Sequence, residues 1–271
     1  MKKTNFSVLI SIYKKESPDY LKKCFDSLID QTLKAAEIVL VFDGEISNEL
    51  ETVVTGYMGR LPIIKISYTI NQGLGYALNL GLKKCKFNLV ARMDADDICL
   101  PERFEKQVAF MQANASVDIC GGYAQNIDEN GCEQSLRKVP IEKSEITRLI
   151  WSCPVVHPSV MFKKSKILAI GNYDAKIPYR QDDYELWIRA VRAGLTIANI
   201  DEPLIKYRVY NHSKNNLNVA YNRFKIGFSA IKEFDDRFKA YLSLFFPIVR
   251  LVLPKKMTIW LKSKYDPRII K

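Results

Sequence analysis

The chain has 271 residues, of which 48% are hydrophobic and 26% are charged, as expected for a globular protein with one large domain or two small ones. Its net charge of +11 favours a polyanionic partner, namely nucleic acid, an anionic membrane surface or a phosphorylated substrate. The six cysteines, at positions 24, 85, 99, 120, 132 and 153, show no paired spacing, which argues against a disulfide framework or zinc site and indicates reduced thiols of a cytosolic protein.

No targeting or membrane-spanning segment is expected. The residues that follow Met1 show no signal-peptide pattern, because the short apolar run leads into charged residues without a cleavage site. No uncharged run reaches the roughly 18 residues that a spanning helix needs.

Predicted strands and helices alternate over the first 114 residues. Apolar runs predict strands over residues 6–12, 37–42, 62–70 and from 89 onward. Apolar positions at helical spacing predict helices that begin at Pro18 and that cover residues 46–58, 76–84 and 101–114. This order predicts an α/β fold with a mostly parallel sheet and helices on both faces.

Polar residues or glycines lie at the ends of these four predicted strands, which in a parallel sheet open on one edge. They are Ser11 and Tyr13, then Asp43, then Asn71 and Gly73, and finally Asp94 and Asp96. Ligands bind at this edge in open α/β sheets. No GxGxxG or GxxxxGK[ST] motif follows a strand, which argues against a dinucleotide or P-loop site.

Two of these strand ends leave alternatives open. Asp43 would accept hydrogen bonds from a base N–H or a ribose hydroxyl, or it would only form a turn with Gly44. Gly73 would allow a ligand close to the backbone, and a plain turn is an equally good interpretation.

The run from Leu89 to Met93 ends on three carboxylates within four positions, Asp94, Asp96 and Asp97. A turn after Met93 would let them converge on a hard divalent cation that keeps open positions for phosphate oxygens. The alternative is that they cap the helix predicted from residue 101.

The second half of the chain follows a different pattern. We expect strands at 119–124 and 133–139 joined by a hairpin turn, a helix over 141–150, a strand after His157, and two short strands at 195–200 and 204–209. His157 lies between Pro154 and Pro158. It would contact a phosphate or the metal site, or it would be hydrogen-bonded inside a rigid loop.

Asp182 and Asp183 open a predicted helix that runs to Gly194 and contains Trp187. In the first turn the helix dipole would lower the pKa of both carboxylates, which is a capping role. The same pair would suit a general base that faces a hydroxyl compound. His212, in a later loop, would complete a metal shell or contact a diphosphate, or it would simply be exposed.

Basic and aromatic residues alternate after residue 222. The apolar stretch from Tyr241 to Leu253 is too short to span a bilayer. It would form a helix in an anionic membrane interface, or a helix pair packed on the domain with its lysines in water.

Seven motifs in a fixed order resemble those of family 2 glycosyltransferases, in particular bacterial enzymes that build O-antigen, capsule or exopolysaccharide repeat units. The motifs are FSVLISIYKKESPDYLKKCFDSLIDQT, VFDG, NQGLGYALNLGL, ARMDADD, HPSVMFKKS, QDDYELWIRA and IKYR, and the resemblance covers roughly residues 5 to 213. The resemblance implies a GT-A fold and inverting transfer from a nucleotide-diphosphate sugar with Mn²⁺ or Mg²⁺. The expected carrier is UDP.

The resemblance also implies roles for individual residues. Asp43 matches the carboxylate that binds the base or ribose, Asp94 and Asp96 match the two ends of a DxD motif, and Asp183 matches the general base. Asp96 would bind the metal, and Asp94 and His212 are further candidates. Additional donor contacts are expected from Ser11, Tyr13, Asn71 and Gly73, and acceptor or diphosphate contacts from His157, Asp182, Trp187, Arg208 and His212.

Three positions depart from the family pattern. Asp182 stands where Glu is usual, and Leu78 stands where many relatives have Arg. Tyr210 stands where relatives often place a metal-binding His, and His212 lies two residues further on.

We therefore predict a GT-A catalytic domain over residues 1–213, with a nucleotide-sugar half (1–115) and an acceptor half (116–213). Residues 214–271 would form a helical, basic segment at the membrane interface. The expected reaction transfers glucose, galactose or an N-acetyl form from a UDP-sugar to an undecaprenyl-type sugar-diphosphate lipid, at the cytoplasmic face of the plasma membrane.

Two other classes of protein share some of these features. A nucleotidyltransferase is the alternative enzyme, but no glycine-rich basic loop follows the first strand. A nucleic-acid-binding protein fits the charge, but no helix-turn-helix, RRM or zinc pattern is present, so we expect no nucleic-acid partner.

Overall fold

The computed structural model describes residues 4–177, 181–210, 217–235 and 237–245, together with 253, 257 and 260. The first half of the chain forms β1 (Ser7–Ile12), α1 (Pro18–Ile29), β2 (Glu37–Asp43), α2 (Asn48–Tyr57), β3 (Ile63–Tyr68), α3 (Leu74–Lys84), β4 (Leu89–Asp94), β5 (Ile98–Cys99) and α4 (Arg103–Ala113). The second half forms β6 (Ile119–Ile127), β7 (Glu133–Arg137), α5 (Lys143–Arg148), β8 (Met161–Lys163), α6 (Lys164–Ala169), α7 (Asp182–Arg192), β9 (Ile197–Arg208), α8 (Leu217–Phe234) and α9 (Phe238–Leu244).

These strands form one mixed sheet in the order β3-β2-β1-β4-β8-β6-β9-β5, and β7 pairs with β6. Strands β1 to β4 pair in parallel, as do β6 and β9. The short β8 lies antiparallel between β4 and β6 and joins the two parallel parts. The prediction of a mostly parallel α/β sheet is thereby confirmed.

The central strands are continuous apolar runs because helices cover both faces of the sheet. Successive side chains of a strand point to opposite faces. Val8 and Ile10 of β1 therefore belong to the apolar cluster that includes α1 and α4, whereas Leu9 belongs to the cluster on the opposite face. The second cluster includes residues of α3 and α7 and lies beneath the site described below.

The structure differs from the predictions at four elements. Strand β9 is one strand, because register shifts against β6 absorb the Asp201-Glu202-Pro203 break between the two predicted strands. Helix α5 ends at Arg148 and is followed by a separate 3-10 turn. The sequence also gave no prediction of β5 or α6, which have two and six residues and are too short to show a period.

The described part of the C-terminal segment packs on the rest of the chain. Ala230 and Ile231 of α8, with Ala240 and Leu244 of α9, belong to the apolar cluster that contains α7. The predicted interfacial helix, Tyr241 to Leu253, lies partly outside the described residues, which do not include 246–252. None of the helices described here is long and apolar enough to cross a membrane. The proposed boundary at residue 213 stays a prediction.

Candidate active site

The polar strand ends converge at one edge of the sheet, as the parallel order predicted. Ser11 of β1 pairs with Asp94 of β4 on one side and with Val41 of β2 on the other. Residues opposite one another in register share a face, and Asp43 lies two residues beyond Val41 on that same face. Ser11, Asp43 and Asp94 therefore project toward the face that α3 and α7 cover. Tyr13 follows directly after β1 and is half-buried.

Asp43 fixes the turn that follows β3. Its buried carboxylate accepts hydrogen bonds from the Tyr68 hydroxyl at 2.9 Å, the Gln72 amide at 2.7 Å and the Gly73 amide at 3.0 Å. The Asn71 side-chain amide donates to the Asp43 carbonyl at 2.9 Å. Gly73 adopts a φ of 90°, which favours glycine. Asp43 therefore stabilises a turn, as one of the two alternatives predicted. Its Oδ2 accepts only from the Gly73 amide among the described residues, so this oxygen keeps a lone pair for a ligand.

Asp94, Asp96 and Asp97 form an acid cluster in which one oxygen of each lies within 4.8 Å of the others. The turn begins after Asp94, one residue later than predicted. Burial raises the pKa of Asp96 and Asp97, and the charges of their neighbours in the cluster raise it further. Oδ2 of Asp97 is buried and has no hydrogen-bond partner among the described residues. Mutual repulsion and an unsatisfied oxygen make this cluster suitable for a hard divalent cation.

The alternative capping role of this cluster is wrong. Helix α4 begins at Arg103, and Glu102 is its N-cap residue, with no side-chain cap.

Arg92 is a site residue that the motif analysis missed. It is 1% exposed, and its Nη2 lies 2.5 Å from Oδ1 of Asp94. Its Nε and Nη1 have no hydrogen-bond partner among the described residues. The available signal was a charged side chain inside an apolar strand run, two residues before Asp94 and therefore on the same face.

Arg208, the last residue of β9, and Tyr210, two residues further on, donate hydrogen bonds to the acid cluster. The Arg208 amide donates to Oδ1 of Asp97 at 2.8 Å, and its Nε donates to the Asp96 carbonyl at 2.9 Å. The Tyr210 hydroxyl donates to Oδ2 of Asp96 at 2.7 Å. Burial and then Asp96 raise the pKa of Tyr210, so it remains a donor. Arg208 therefore supports the cluster, and its diphosphate contact stays a prediction. His212 lies outside the described residues.

Asp182 and Asp183 begin α7, where Gln181 is the N-cap residue without a side-chain cap. Burial, followed by the charge of Asp183, raises the pKa of Asp182 to about 6. Burial also raises the pKa of Asp183, which is half-buried. The expectation that the helix dipole lowers both pKa values is wrong, because desolvation outweighs the dipole here.

The two acid groups flank a common interior region. Tyr173 is fully buried, and burial raises its pKa. The charges of Asp182, Asp183 and Asp94 raise it further, and Arg92 lowers it. Arg92 also lowers the pKa of Asp182 and Asp183. Residues separated by about 90 positions in the sequence thus act electrostatically on one buried hydroxyl.

Other predicted contacts lie in the interior. Nε2 of His157 is 2.9 Å from the Tyr173 hydroxyl, so the hydrogen-bonded loop histidine is observed. Burial and then Arg92 hold the pKa of His157 well below its usual value, so the ring is neutral at pH 7. Trp187 is 0% exposed, and its predicted direct contact with an acceptor is wrong because it has no accessible surface. Leu78 is likewise buried in the core.

The chain is similar to known proteins in sequence. A family model described as glycosyl transferase family 2 matches residues 7–169. The amylovoran biosynthesis glycosyltransferase AmsE of Erwinia amylovora is 43% identical over 204 residues, which cover 75% of this chain and 76% of that protein. The UDP-Gal:alpha-D-GlcNAc-diphosphoundecaprenol beta-1,3-galactosyltransferase of Escherichia coli is 35% identical over 204 residues, which cover 75% and 74%.

Solved structures share the fold. Residues 1–349 of S. aureus TarS in complex with UDP-GlcNAc match with a TM-score of 0.70 at 17% identity, over 98% of this chain and 78% of that one. The mannosyltransferase PcManGT from Pyrobaculum calidifontis, in complex with GDP-Man and Mn²⁺, matches with a TM-score of 0.65 at 12% identity, over 98% and 81%. At such identities the likeness concerns the fold alone.

Proposed function

The chain belongs to glycosyl transferase family 2 and has the GT-A fold, and from this premise we propose that it is a metal-dependent, inverting hexosyltransferase. Its donor is a UDP-sugar, with glucose, galactose or an N-acetyl form as the hexose, and its acceptor is a sugar-diphosphate lipid of the undecaprenyl type. The observation that carries the proposal is the acid cluster suited to a cation, together with Asp182 and Asp183 at the start of α7, where burial raises both pKa values.

The donor half of the site is built from strand ends. Oδ2 of Asp43 accepts a hydrogen bond from the base or the ribose, while Ser11, Tyr13 and the backbone at Asn71 and Gly73 line the same edge. Asp96, Asp94 and Asp97 would hold Mn²⁺ or Mg²⁺. When bound, the cation neutralises charge on the leaving diphosphate. Arg92 fixes Asp94, and Tyr210 fixes Asp96, so the carboxylates are oriented before the donor binds.

Asp183 takes the acceptor proton. Because burial raises its pKa, it is a stronger base than an exposed aspartate. As the acceptor hydroxyl attacks the anomeric carbon, its proton passes to Asp183. The bond to the donor diphosphate breaks on the opposite face, which inverts the anomeric configuration.

The thiol of Cys153 lies next to this base. Its Sγ lies 4.0 Å from Oδ2 of Asp183. Burial, followed by the charge of Asp183, raises the pKa of Cys153 to about 12, so the thiol stays protonated and donates toward the carboxylate.

The acceptor assignment is supported by the Escherichia coli relative, whose name specifies a GlcNAc-diphosphoundecaprenol acceptor. The protein would meet such a lipid at the inner face of the bacterial plasma membrane as a peripheral protein. Helices α8 and α9 present apolar and basic side chains that suit an anionic interface, namely Leu217, Tyr221, Lys225, Phe238, Lys239 and Phe245.

The test is a thermal-shift screen of nucleotide sugars with Mn²⁺, followed by transfer onto synthetic GlcNAc- or GalNAc-diphosphate lipids. We expect a UDP-sugar to raise the melting temperature and to donate its hexose with inversion, read by NMR of the anomeric proton. Release of pyrophosphate from a nucleoside triphosphate would instead favour a nucleotidyltransferase. Sedimentation with liposomes that contain or lack anionic lipid tests the membrane contact separately.

A further inference from the structure

Two arginines from distant elements act electrostatically on Asp183. Arg223 of α8 donates from Nη2 to the Ser152 carbonyl at 3.1 Å, and its guanidinium lies 4.8 Å from the ring centroid of Tyr184, the neighbour of Asp183 in the chain. Arg137 ends β7, and its guanidinium lies 5.7 Å from the ring centroid of Tyr207.

The charges of both arginines converge on one corner of the site. Burial raises the pKa of Asp183, and Arg223, Arg92 and Arg137 oppose that rise. The same two arginines, Arg223 and Arg137, lower the pKa of Cys153, whose Sγ is 4.0 Å from the Asp183 carboxylate. The general base therefore has a cationic side, and the acid cluster lies elsewhere at the strand ends.

Neither arginine is neutralised by a carboxylate within the described ranges. Other basic side chains do have carboxylate partners. Lys206 of β9 forms an ion pair with Glu133 of β7 at 2.8 Å, and Arg189 and Arg192 of α7 form ion pairs with Glu185 and Glu233. Arg137 is exposed, and Arg223 is half-buried with one hydrogen bond to a carbonyl. Two guanidinium groups that lack a carboxylate ion pair among the described residues, and whose charges both act on Asp183, suit a bound anion.

We propose that Arg137 and Arg223 bind the diphosphate of the lipid-linked acceptor, an inference that rests on the proposed function. The reaction brings two diphosphates together, one on the donor and one on the acceptor. In the described residues Asp94, Asp96 and Asp97 are the one group of three that could hold a metal, and the donor uses it. The acceptor diphosphate therefore needs cationic side chains, and the planar guanidinium matches phosphate oxygens in pairs.

The binding test uses farnesyl diphosphate as a short prenyl diphosphate. The protein is first saturated with UDP and Mn²⁺, so that the donor site is filled, and is then titrated by calorimetry. Each of Arg137→Gln and Arg223→Gln should weaken binding about tenfold or more, because each removes a charge-assisted contact. The matched control is Lys232→Gln, which removes one positive charge from the exposed last turn of α8 and should bind like the wild type.

Arg137→Gln keeps the test valid if loss of Arg223 loosens α8. Arg137 is exposed on β7, so its replacement should leave the melting temperature unchanged. Unchanged farnesyl diphosphate affinity in Arg137→Gln, or an equal loss in Lys232→Gln, overturns the assignment.

Transfer assays separate this inference from the proposed function. With a sugar-diphosphate lipid acceptor, both arginine variants should raise the acceptor KM and leave the donor KM unchanged. With an alkyl glycoside of the same sugar, which lacks the diphosphate, the acceptor KM of both variants should equal that of the wild type. If wild-type protein transfers sugar to neither acceptor, the proposed function fails. If wild type transfers and both variants keep its acceptor KM, only the diphosphate site fails.

Discussion

Replacing Asp182 by Asn should stabilise the protein at neutral pH. Asp182 is 6% exposed, and burial with the adjacent charge of Asp183 raises its pKa from 3.8 to about 6. A difference of about two pKa units corresponds to about 3 kcal/mol by which folding disfavours the charged form. Asn keeps the shape and removes the charge, so about 3 kcal/mol is the upper limit of the gain.

The sign of the pH dependence follows from proton linkage. The folded protein binds the Asp182 proton more tightly than the unfolded chain does, so this group favours folding most below about pH 4. Its contribution is lost as the pH rises toward about 6, the folded pKa. The stability gap between Asp182→Asn and wild type should therefore open between pH 4 and 6 and stay constant above.

Urea unfolding at several pH values between 4.5 and 8 measures this gap. Asp19→Asn is the matched control, because Asp19 also lies in the first turn of a helix, α1, but its side chain is 80% exposed. Loss of a favourable charge near the helix N-terminus should make that variant slightly less stable. Two results would refute the argument that the Asp182 charge is desolvated. In one, Asp182→Asn is less stable than wild type at pH 7; in the other, the difference in unfolding free energy between the two proteins does not change with pH.

Three further substitutions test the site. Asp183→Asn should lower kcat by about 10²- to 10⁴-fold with the donor Kd unchanged, and normal transfer would rule Asp183 out as the base. Asp96→Ala should abolish metal-dependent donor binding, so UDP titrations with and without Mn²⁺ should coincide; a retained Mn²⁺ effect contradicts the assignment. Gly73→Ala places a side chain at φ 90° and ψ 165°, which should cost about 1–3 kcal/mol and weaken UDP binding through Asp43. Gly59→Ala, where an added Cβ meets nothing within 4 Å, is the control, and equal losses in the two variants would contradict the strain.

Local sequence patterns were sufficient for most of the fold. Apolar runs predicted the strands of the parallel half, and apolar positions at helical spacing predicted the helices between them. Both patterns depend only on neighbouring residues. The parallel order then required that Asp43 and Asp94 open on one edge, and the structure confirms this. The elements that were missed or divided, β5, α6 and β9, are either too short to show a period or shaped by register shifts against a strand far away in the sequence.

The chemistry of the site depended on contacts that no local pattern records. Asp182 looked like a first-turn residue with a lowered pKa, and burial against α3 with the charge of Asp183 reversed the direction. Tyr210 looked like a departure from the family pattern, but its hydroxyl donates a hydrogen bond to Asp96, 114 positions away.

Sequence by itself therefore determined which strands carry acids to which edge, because side-chain alternation and chain direction are local properties. Only the tertiary structure decided which charges are desolvated and which cations face them, because electric fields and solvent access depend on distance in space. Arg92 and Arg223 show this most clearly: one is hidden in an apolar strand and the other belongs to a helix at the far end of the chain, yet both charges act on Asp183.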